Sequence, residues 1–592
     1  MAKSMKKLFH SLVAGLLAFT LTACSSNTAT GGTFKGTGQG NNGDIVVEVT
    51  YSDGKIEKVD VLEHKETAGI SDEAIAKIPE AIVESQSLAV DTCSGATNSS
   101  KGILAAVEDA LTQAGADVEA FKNKKVESEA AAVELKDATY DVIVLGAGGA
   151  GLAAAIEAKN AGANVAVVEK MPYAGGNTIL SYAELACPNN WIQKEKGIED
   201  SPELMAKEMW EGGGKVADKK MVDIVANNAL AAAEWLKDEI GVEYQDYLVW
   251  EGGHSVARAV EPVKKGPGMI NPMLDYAKEH GVEIFLNTKA DELVVDKDGR
   301  VTGVEVSSED KKATFTATNG VVLATGGFGA NVEMREKYNT RWETLDESVA
   351  TTNSPAIVGE GQVMAEKIGA NLINMEHIQL YPFNNPMTGV FYGIEAPSWS
   401  GEGLIYVNKD GNRFVNEVAM RDVRAEGILA QGGEAYAIYN QAVADRLNLE
   451  EEFADEYARC LEGGVFYKAD TLEEVADYFG INAKNLVKTM DKYNEGIKNN
   501  NDEFGRTTSM VTMEEGPWFI LKGVVSVHHT MGGVEINENA EVLNTKGKVI
   551  EGLFAAGEVT GSVHGNNRVG TCAISDITVF GRIAGKNAAA NK

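Results

Sequence analysis

The clearest pattern of apolar and polar positions begins near residue 140. The run from Asp141 to Leu145 is apolar and of strand type, a glycine-rich turn follows it, and Leu152 to Ala161 has helical character. Gly162 ends that helix, and Asn164 to Val168 is a second apolar strand. Two buried strands joined by a helix within roughly 30 residues predict a βαβ unit and therefore a parallel sheet.

Similar patterns lie on both sides of this unit. Before it, the predicted elements are a hairpin with strands at Asp44–Thr50 and Lys55–Glu63, and helices over 73–86 and 101–114. After it, they are helices over 200–240, short strands between Phe285 and Val306, and apolar strands at Gly320–Thr325 and from Gly552 towards Glu558. The chain is therefore predicted to hold a small α+β module followed by a larger α/β domain.

The glycine-rich turn has the G-x-G-x-x-G spacing of a dinucleotide-binding loop. Gly146 makes the tight turn, Gly148 lets the backbone approach a pyrophosphate, and Gly151 lets the helix pack closely on the strand. The second strand ends at Glu169, in position to hydrogen-bond a ribose hydroxyl. The cofactor-binding residues predicted from this unit are Gly146, Ala147, Gly148, Gly149, Ala150, Gly151 and Glu169.

The fingerprint alone does not distinguish FAD from NAD, but two further stretches favour FAD. Gly175-Gly176-Asn177-Thr178 forms a second turn, as in flavoproteins whose chain wraps around FAD. Near the other end, Gly552-Leu-Phe-Ala-Ala-Gly-Glu558 is a late strand that returns to the cofactor, and the sequence shows no second fingerprint for NAD. We therefore predict FAD, with Asn177, Thr178 and Glu558 among its contacts.

The amino terminus has the pattern of a targeting segment. Basic Lys3, Lys6 and Lys7 precede an apolar run that is short for a membrane span. The run ends in Leu21-Thr-Ala-Cys24, which resembles a bacterial lipoprotein signal with lipid on the Cys24 thiol; an ordinary secretory peptide is the alternative. We expect residues 1–23 to be a signal peptide, residues 24–43 to be a flexible tether, and the mature protein to be anchored to the outer face of the cell membrane.

Composition narrows the classes of partner. The chain has 592 residues, enough for several domains, and a net charge of −33, which argues against nucleic acid and against a polybasic membrane surface. Cys93, Cys187, Cys460 and Cys572 are scattered, so we expect no disulfide framework. No C-x-x-C-H occurs, so covalent c-type haem is excluded, and no His/Cys cluster suggests a metal site.

The first module, residues 34–115, carries one motif with chemical meaning. Ser94-Gly-Ala-Thr97 stands before a predicted helix, and a hydroxyl at a helix start presents a phosphate to free backbone amides. The module resembles the FMN-binding domains of respiratory flavoproteins, in which a transferase joins FMN to the last threonine of this motif through a phosphoester. The resemblance implies covalent FMN at Thr97 and an FMN transferase as partner; the alternative is that Ser94 or Thr97 only caps the helix. Residues 116–137, rich in Ala, Glu and Lys, are predicted to be a linker.

From residue 140 to the end, long stretches resemble the soluble fumarate reductase family, which includes flavocytochrome c and urocanate reductase. These stretches are Gly411-Asn-Arg-Phe-Val-Asn-Glu-Val-Ala-Met-Arg421-Asp, Val527-His-His-Thr-Met-Gly-Gly533 and Gly557-Glu-Val-Thr-Gly-Ser-Val-His-Gly-Asn-Asn-Arg568. The resemblance implies an α/β FAD-binding Rossmann-like domain at 138–372 and 527–592, with an α+β capping domain inserted at 373–526. Substrate would lie between the cap and the flavin. A small N-terminal α+β FMN-binding domain precedes these two domains in the chain.

The same resemblance assigns roles to individual residues. Arg421 matches the catalytic acid on the cap, while His528 and Arg568 match a clamp for the substrate carboxylate. Arginine is an unusual acid because its guanidinium holds its proton tightly, so it needs a relay that reprotonates it. Considered without the family, Arg421 would be a surface arginine and His528 a core histidine. The resemblance also implies FAD contacts at Ala290, Glu360, His529, Ala573 and Ile574.

Four positions depart from the fumarate enzymes. Tyr381 in Gln379-Leu-Tyr-Pro382 replaces a histidine, and Glu395 precedes a segment of altered length in which the relay arginine is missing. Glu184 brings a carboxylate towards the far end of the substrate, and Trp250 falls where fumarate enzymes have methionine. An acid and aromatic rings suit a flat ring with N–H or O–H donors, so the hypothesis is an aryl- or heteroaryl-acrylate, with urocanate first. Glu395 is either a relay acid or a loop residue, and Glu184 and Trp250 either bind substrate or only pack.

The reaction implied is reduction of the C=C bond of a small unsaturated carboxylic acid in anaerobic respiration. Electrons would enter through FMN and pass to FAD from a membrane electron donor or another exported flavoprotein. Fumarate, cinnamate or caffeate are alternative substrates, and an oxidase or dehydrogenase would run the chemistry backwards. A different class of function is an electron-shuttle lipoprotein whose FAD half only passes electrons on.

Overall fold

The computed structural model describes residues 31–68, 70–90, 92–93, 96–124, 135–398 and 401–591. The predicted signal peptide, Cys24 and the first part of the tether lie outside these residues. Within the described part, the chain forms three modules, each around a hydrophobic core of its own. The α/β domain with an inserted α+β cap and an N-terminal α+β module, predicted from the sequence, is confirmed.

The N-terminal module is a three-stranded antiparallel sheet in the order β1-β2-β3, covered by helices. Its strands are β1 Gly32–Gln39, β2 Asp44–Ser52 and β3 Lys55–Glu63, and its helices are α1 Asp72–Ser85, α2 Thr97–Gln113 and α3 Val118–Lys122. The predicted hairpin and both predicted helices are therefore confirmed, although α2 begins four residues earlier than expected, at Thr97.

The prediction that residues 24–43 form a flexible tether is wrong for its second half, because β1 pairs with β2 along its whole length. The sequence pattern did not predict strand β1 because glycine and threonine stand where a strand usually alternates apolar and polar residues. Its glycines have a packing reason: a Cβ on Gly36 would lie 2.0 Å from the Ala106 carbonyl oxygen, and one on Gly38 would lie 2.1 Å from that of Gly102. Helix α2 therefore packs directly on the backbone of β1.

The predicted linker 116–137 also holds structure. Helix α3 lies within it, and Phe121 is buried in the core of the N-terminal module. The Phe121 carbonyl accepts hydrogen bonds from the backbone N–H of Leu88 and from the Ser87 hydroxyl. The module therefore extends at least to α3, while residues 125–134 lie outside the described part of the chain.

The first part of the α/β domain contains ten strands and seven helices. The strands are β4 Ala138–Leu145, β5 Val165–Val168, β6 Leu185–Ala186, β7 Ala259–Val260, β8 Glu283–Phe285, β9 Lys289–Val295, β10 Val301–Ser308, β11 Lys311–Leu323, β12 Ala350–Thr351 and β13 Leu372–Ile373. The helices are α4 Gly149–Asn160, α5 Trp191–Lys196, α6 Pro202–Gly212, α7 Lys219–Trp235, α8 Lys265–Glu279, α9 Val332–Tyr338 and α10 Glu360–Lys367. A π-helical turn, Leu236–Ile240, continues α7.

The cap follows as a compact insertion. Its strands are β14 Ile378–Asn384, β15 Ile405–Val407, β16 Glu434–Asn440, β17 Phe466–Ala469 and β18 Trp518–Thr530. Its helices are α11 Arg421–Leu429, α12 Gln441–Arg446, α13 Leu449–Glu452, α14 Ala454–Glu462, α15 Leu472–Phe479 and α16 Ala483–Lys498, with a 3-10 turn at Ala396–Ser398. The chain then returns to the first domain through β19 Gly533–Val534, β20 Glu541–Leu543, β21 Val549–Ala555 and α17 Cys572–Ala590.

Two sheets place the site. The α/β sheet runs β20-β21-β11-β4-β5-β8, with β10 and β9 continuing from β11, and β21, β11, β4, β5 and β8 pair in parallel. In the cap, the long strand β18 pairs with β12, β14, β16 and β17. Strand β18 therefore runs out of the cap to the carboxyl ends of the α/β strands, where ligands of such sheets bind.

The N-terminal module contacts both other modules. Lys65 forms an ion pair of 2.6 Å with Asp455 at the start of α14 in the cap, and Ile70 packs against the core of the α/β domain. Asn98, in the first turn of α2, donates to Asn41 of the loop that approaches the same cap helix. The predicted FMN end of the module is thus turned towards the rest of the protein.

Some features are absent from the described part of the chain. None of its helices combines the length and the apolar character needed to cross a bilayer. Cys93, Cys187, Cys460 and Cys572 form no disulfide. No three His, Cys, Asp or Glu side chains of these residues gather as a metal site would require.

Candidate active site

A cavity opens at the carboxyl ends of β4, β5 and β11, and most of the predicted cofactor residues line it. We call it the cofactor cavity. The predicted residues on its wall are Gly146, Gly148, Gly149, Ala150, Glu169, Asn177, Thr178, Ala290, Glu360 and Glu558. Ala147 and Gly151 do not line it. Ala147 donates its backbone N–H to Glu169, and Gly151 packs against the Gly146 carbonyl.

The three fingerprint glycines have different physical reasons. Gly146 has φ +103°, which disfavours any residue with a Cβ. A Cβ on Gly151 would lie 1.9 Å from the Gly146 carbonyl oxygen, so only glycine lets helix α4 begin this close to the strand. This close packing is why α4 starts at Gly149 and not at the predicted Leu152. At Gly148 a Cβ would make only ordinary contacts, the nearest being the Gly175 carbonyl oxygen at 3.8 Å, so the empty turn has room for it.

Glu169 holds the turn in shape as well as lining the cavity. Its two carboxylate oxygens accept hydrogen bonds from the backbone N–H groups of Ala147 and Met171, each at 2.9 Å. Burial raises the pKa of Glu169 in spite of these bonds. The remaining lone pairs of its oxygens are those that a ribose hydroxyl would use.

FAD fits this cavity by the chemistry of its wall. The backbone at Gly148 is free for a pyrophosphate at the start of α4, and the Thr325 hydroxyl is buried without a partner in the described structure. Sequence reasoning missed Lys170 and Lys289, which line the cavity and lie 2.5 and 3.7 Å from Glu360. They carry no recognisable motif, so only the fold shows their place.

A second cavity, the substrate pocket, adjoins the first. Asn177, Thr178 and Glu558 line both, so the two cavities are continuous. The predicted residues on the wall of the substrate pocket are Glu184, Tyr381, Arg421, His528, His529, Arg568, Ala573 and Ile574. Residues far apart in sequence, from the cap and from the α/β domain, are thereby brought together.

Arg421 is the first residue of α11, and its guanidinium has three neighbours. Its Nη1 lies 3.3 Å from His528 Nε2, its Nη2 donates to Glu251 Oε1 at 3.2 Å, and its Cζ lies 4.9 Å from the centre of the Tyr381 ring. Its Nε is buried without a partner in the described structure. A cation at a helix N-terminus opposes the helix dipole, so this position favours an incoming anion.

The two predicted clamp residues differ in charge. Burial, together with Arg421 and Arg568, lowers the pKa of His528 well below its usual value, so its imidazole is neutral. Thr352 Oγ lies 2.8 Å from His528 Nδ1 and orients the ring. Burial and the nearby Arg421 lower the pKa of Arg568 to about 10, which still leaves it charged at neutral pH.

Hydrogen bonds between domains fix the loop that carries Arg568. Gln379 of β14 donates to Asn567 at 2.6 Å and to the Arg568 carbonyl at 2.8 Å. Asn567 in turn donates to Asp422, the residue that follows Arg421, at 3.0 Å. The spacing between the two arginines is therefore set by direct contacts across the domain boundary.

Aromatic rings continue the pocket away from Arg421. The Tyr381 ring lies 5.8 Å from that of Phe391, which lies 5.3 Å from that of Tyr182, and both added residues line the pocket. Neither was singled out from the sequence. Burial, with Glu251 and Glu261 nearby, raises the pKa of Glu184 well above its usual value, which favours its protonated form.

Two predicted substrate residues lie elsewhere. Trp250 lines a neighbouring, larger cavity, is 43% exposed, and donates its indole N–H to the His254 carbonyl. Glu395 lines neither cavity: it is buried in the cap and accepts a short hydrogen bond from Tyr406. The structure therefore does not bring these two residues to the wall of the substrate pocket, and their role in substrate binding stays a prediction.

The residue that reaches the pocket in place of Trp250 is its neighbour Glu251. It is 7% exposed, lines the substrate pocket and pairs with Arg421. Buried ionisable groups are costly unless they are paired or used, so a carboxylate here is a functional feature. The sequence analysis placed a substrate residue at this point of the chain but chose Trp250, the position before Glu251.

The chain matches the FAD binding domain family over residues 141–574 and the FMN-binding domain family over residues 40–112. It belongs to this FAD-binding family. It is 41% identical to a urocanate reductase of Eggerthella lenta over 94% of this chain and 92% of that protein. It is 37% identical to a fumarate reductase (cytochrome) of Shewanella frigidimarina over 78% of this chain and 80% of that protein.

Among solved structures, the chain is similar to the open conformation of a flavocytochrome c3 fumarate reductase. The TM-score is 0.65 and the identity 35%, over 80% of this chain and 84% of that one. As a member of the FAD-binding family, the protein is an FAD-dependent oxidoreductase with FMN as second cofactor. The FAD prediction, made from the fingerprint and the late strand, is confirmed.

The FMN-binding module places its predicted attachment point at the start of a helix. Helix α2 has 17 residues, begins at Thr97 and has no acidic residue in its first turn, so its free N–H groups face a phosphate without a competing carboxylate from the same turn. Attachment of FMN to Thr97 itself remains a prediction.

Replacing Thr97 by Ala should abolish covalent FMN, because the acceptor oxygen is lost. The measurement is flavin fluorescence of denatured protein made in cells with an FMN transferase. Thr112→Ala, in the same helix, is the control and should keep full labelling. Retained fluorescence in Thr97→Ala would place the attachment elsewhere.

The glycine geometry predicts different outcomes for two substitutions. Gly148→Ala has room in the empty protein but projects into the cofactor cavity, so the FAD dissociation constant should rise about tenfold or more while the Tm of the FAD-free protein stays near wild type. Gly151→Ala collides with the turn, so it should raise the FAD dissociation constant and also lower the Tm of the FAD-free protein. FAD titration and thermal unfolding of the stripped protein measure these effects; equal behaviour of the two variants would contradict the assignment.

Proposed function

We propose that the protein reduces the C=C bond of an α,β-unsaturated carboxylic acid. The observation that carries this proposal is the position of Arg421, which faces His528 and Arg568 in a pocket continuous with the cofactor cavity. That arrangement combines a carboxylate clamp, a proton donor and a flavin site. The urocanate and fumarate reductases to which the chain is similar support the same chemistry.

The charge of each pocket residue determines its role in the proposed reaction. Arg568, with neutral His528, binds the substrate carboxylate and withdraws electron density from the double bond. FAD held in the cofactor cavity would supply the hydride for the β-carbon. Negative charge then develops at the α-carbon and carboxylate, where the guanidinium groups stabilise it. Arg421 donates its proton to the α-carbon, which completes the reduction.

For the substrate, we propose a ring-bearing acrylate, with urocanate as first candidate. Ring contacts lead from Arg421 through Tyr381 and Phe391 to Tyr182, a wall that suits a flat ring. In its protonated form Glu184 offers both a donor and an acceptor, which an imidazole needs, whereas an ionised second carboxylate would gain little there. Fumarate and cinnamate or caffeate are the alternatives.

The route of electrons and the location of the protein are further parts of the proposal. We propose that electrons enter through FMN at Thr97 and pass to FAD, supplied by a membrane donor or another exported flavoprotein. The contacts of the FMN-binding module with both other modules support this order. The lipoprotein-like pattern before Cys24 supports export and anchoring at the membrane surface.

Arg421→Ala should abolish enoate reduction because it removes the proton donor, with kcat falling by about 100-fold or more. Reduction of the bound flavins by a viologen dye should be unchanged. Arg446→Ala, an exposed cap arginine paired with Glu402, is the matched control. Unchanged enoate reduction in Arg421→Ala would show that Arg421 is not the proton donor, whereas flavin reduction without any enoate reduction in the wild-type protein would favour the electron-shuttle class.

The substrate is tested with purified protein carrying both flavins and reduced viologen as donor. We expect kcat/KM for urocanate to exceed that for cinnamate and caffeate, and fumarate to be slowest, because the distal wall is aromatic and carries an acid whose protonated form is favoured. Faster turnover of fumarate than of urocanate would overturn this choice but leave the reaction class intact.

A further inference from the structure

Glu251 stands between two cavities. It lines the substrate pocket and also the larger neighbouring cavity, called here the outer cavity. Trp250 and Tyr247, both 43% exposed, line the outer cavity as well, so this cavity reaches the protein surface. A carboxylate at this position connects solvent with the interior of the substrate pocket.

The side chain is held firmly. Glu251 Oε1 accepts from Arg421 Nη2 at 3.2 Å, and only 8% of the side chain is exposed. A Cβ on Gly570 would lie 2.7 Å from Glu251 Cβ, so the loop that follows Arg568 packs against it. The packing and the ion pair together direct the carboxylate at one nitrogen of Arg421.

The charges around Glu251 come from several elements. Burial alone would raise its pKa, but Arg421 and Arg424 of α11 and Arg568 of the opposite loop hold the pKa below its usual value. Burial raises the pKa of Glu184, which also lines both cavities. The pKa values of the two carboxyl groups near Arg421 are therefore shifted in opposite directions, Glu251 towards the ionised form and Glu184 towards the protonated form.

We propose that Glu251 returns a proton to Arg421 after each turnover and receives it from the outer cavity. The inference rests on the proposed reduction of an enoate. An N–H bond of Arg421 breaks as the C–H bond at the α-carbon forms, which leaves a neutral guanidine. The Glu251 carboxylate then receives a proton from solvent in the outer cavity, directly or through Glu184, and forms an O–H bond. That O–H bond breaks as its proton passes to the guanidine, which restores both the guanidinium and the Glu251 carboxylate.

The geometry of the guanidinium suits this exchange. Nη1 is turned towards His528 and the substrate pocket, while Nη2 contacts Glu251, so one nitrogen gives a proton and the other receives one. Charge delocalisation over the planar group makes rotation of the side chain unnecessary. Glu395, the relay acid considered from the sequence, has no such contact and is bonded to Tyr406.

The test compares Glu251→Gln with Glu251→Asp. Glu251→Gln keeps the shape but cannot relay a proton, so kcat should fall by about 100-fold, KM should change less than about 3-fold, and the solvent deuterium isotope effect on kcat should increase. Glu251→Asp should recover part of kcat and restore its pH profile. Glu452→Gln, at an exposed carboxylate that lines the outer cavity but not the substrate pocket, is the matched control and should stay near wild type.

Several outcomes would overturn the inference. A Glu251→Gln variant with wild-type kcat, or one with only a raised KM and an unchanged isotope effect, would show that Glu251 binds substrate or only packs. Loss of kcat with an increased isotope effect in Glu395→Gln, but not in Glu251→Gln, would place the relay in the cap. The wild-type protein and Arg421→Ala keep the two proposals apart. If the wild type reduces no enoate, the proposed function fails. If Arg421→Ala retains full enoate reduction, Arg421 is not the proton donor and the relay to it fails; if it loses the activity while Glu251→Gln is normal, only the relay fails.

Discussion

Concentrated positive charge in a buried pocket is the constraint on which the rest of this structure depends. Arg421, Arg424 and Arg568 are each less than 10% exposed and lie near one another. Without partners such charges would be prohibitively costly, and removing one member of a buried pair typically costs about 3–5 kcal/mol. Glu251 balances part of this charge, and the substrate carboxylate would balance more. The same unbalanced charge that makes the empty pocket costly makes it bind an anion and stabilise the charge that develops during reduction.

The inserted cap is what places these charges. Arg421 comes from α11 in the cap, His528 from the end of β18, Arg568 from the loop before α17, and Glu251 from a loop of the α/β domain. The bonds of Asn567 with Gln379 and Asp422 join these segments directly. A motion of the cap would separate Arg421 from Arg568, so the proposed reaction requires the cap in the position seen here.

Other parts of the structure shape the cofactor cavity, the distal end of the substrate pocket and the outer cavity. The fingerprint turn and Glu169 shape one end of the continuous cavity, and aromatic rings and Glu184 shape the other. The outer cavity gives Glu251 access to solvent without opening the carboxylate clamp to it. Glu251 lies between the outer cavity and Arg421. In the proposed reaction, the α/β domain therefore provides the route for the proton, while the cap provides the arginine that donates it. The FMN-binding module contacts both domains, which suits a source of electrons.

By itself, the sequence determined the features that depend on neighbours along the chain or on long family motifs. These include the βαβ unit, the glycine turn, FAD, and Arg421, His528 and Arg568 as pocket residues. The tertiary structure alone decided that Glu251 and not Trp250 enters the pocket, that Glu395 stays in the cap, and that β1 is a strand. The physical reason is that period and spacing report local geometry. Which of two adjacent side chains reaches an arginine 170 residues away, or whether a glycine-rich segment is held by a helix packed upon it, is fixed only by long-range packing.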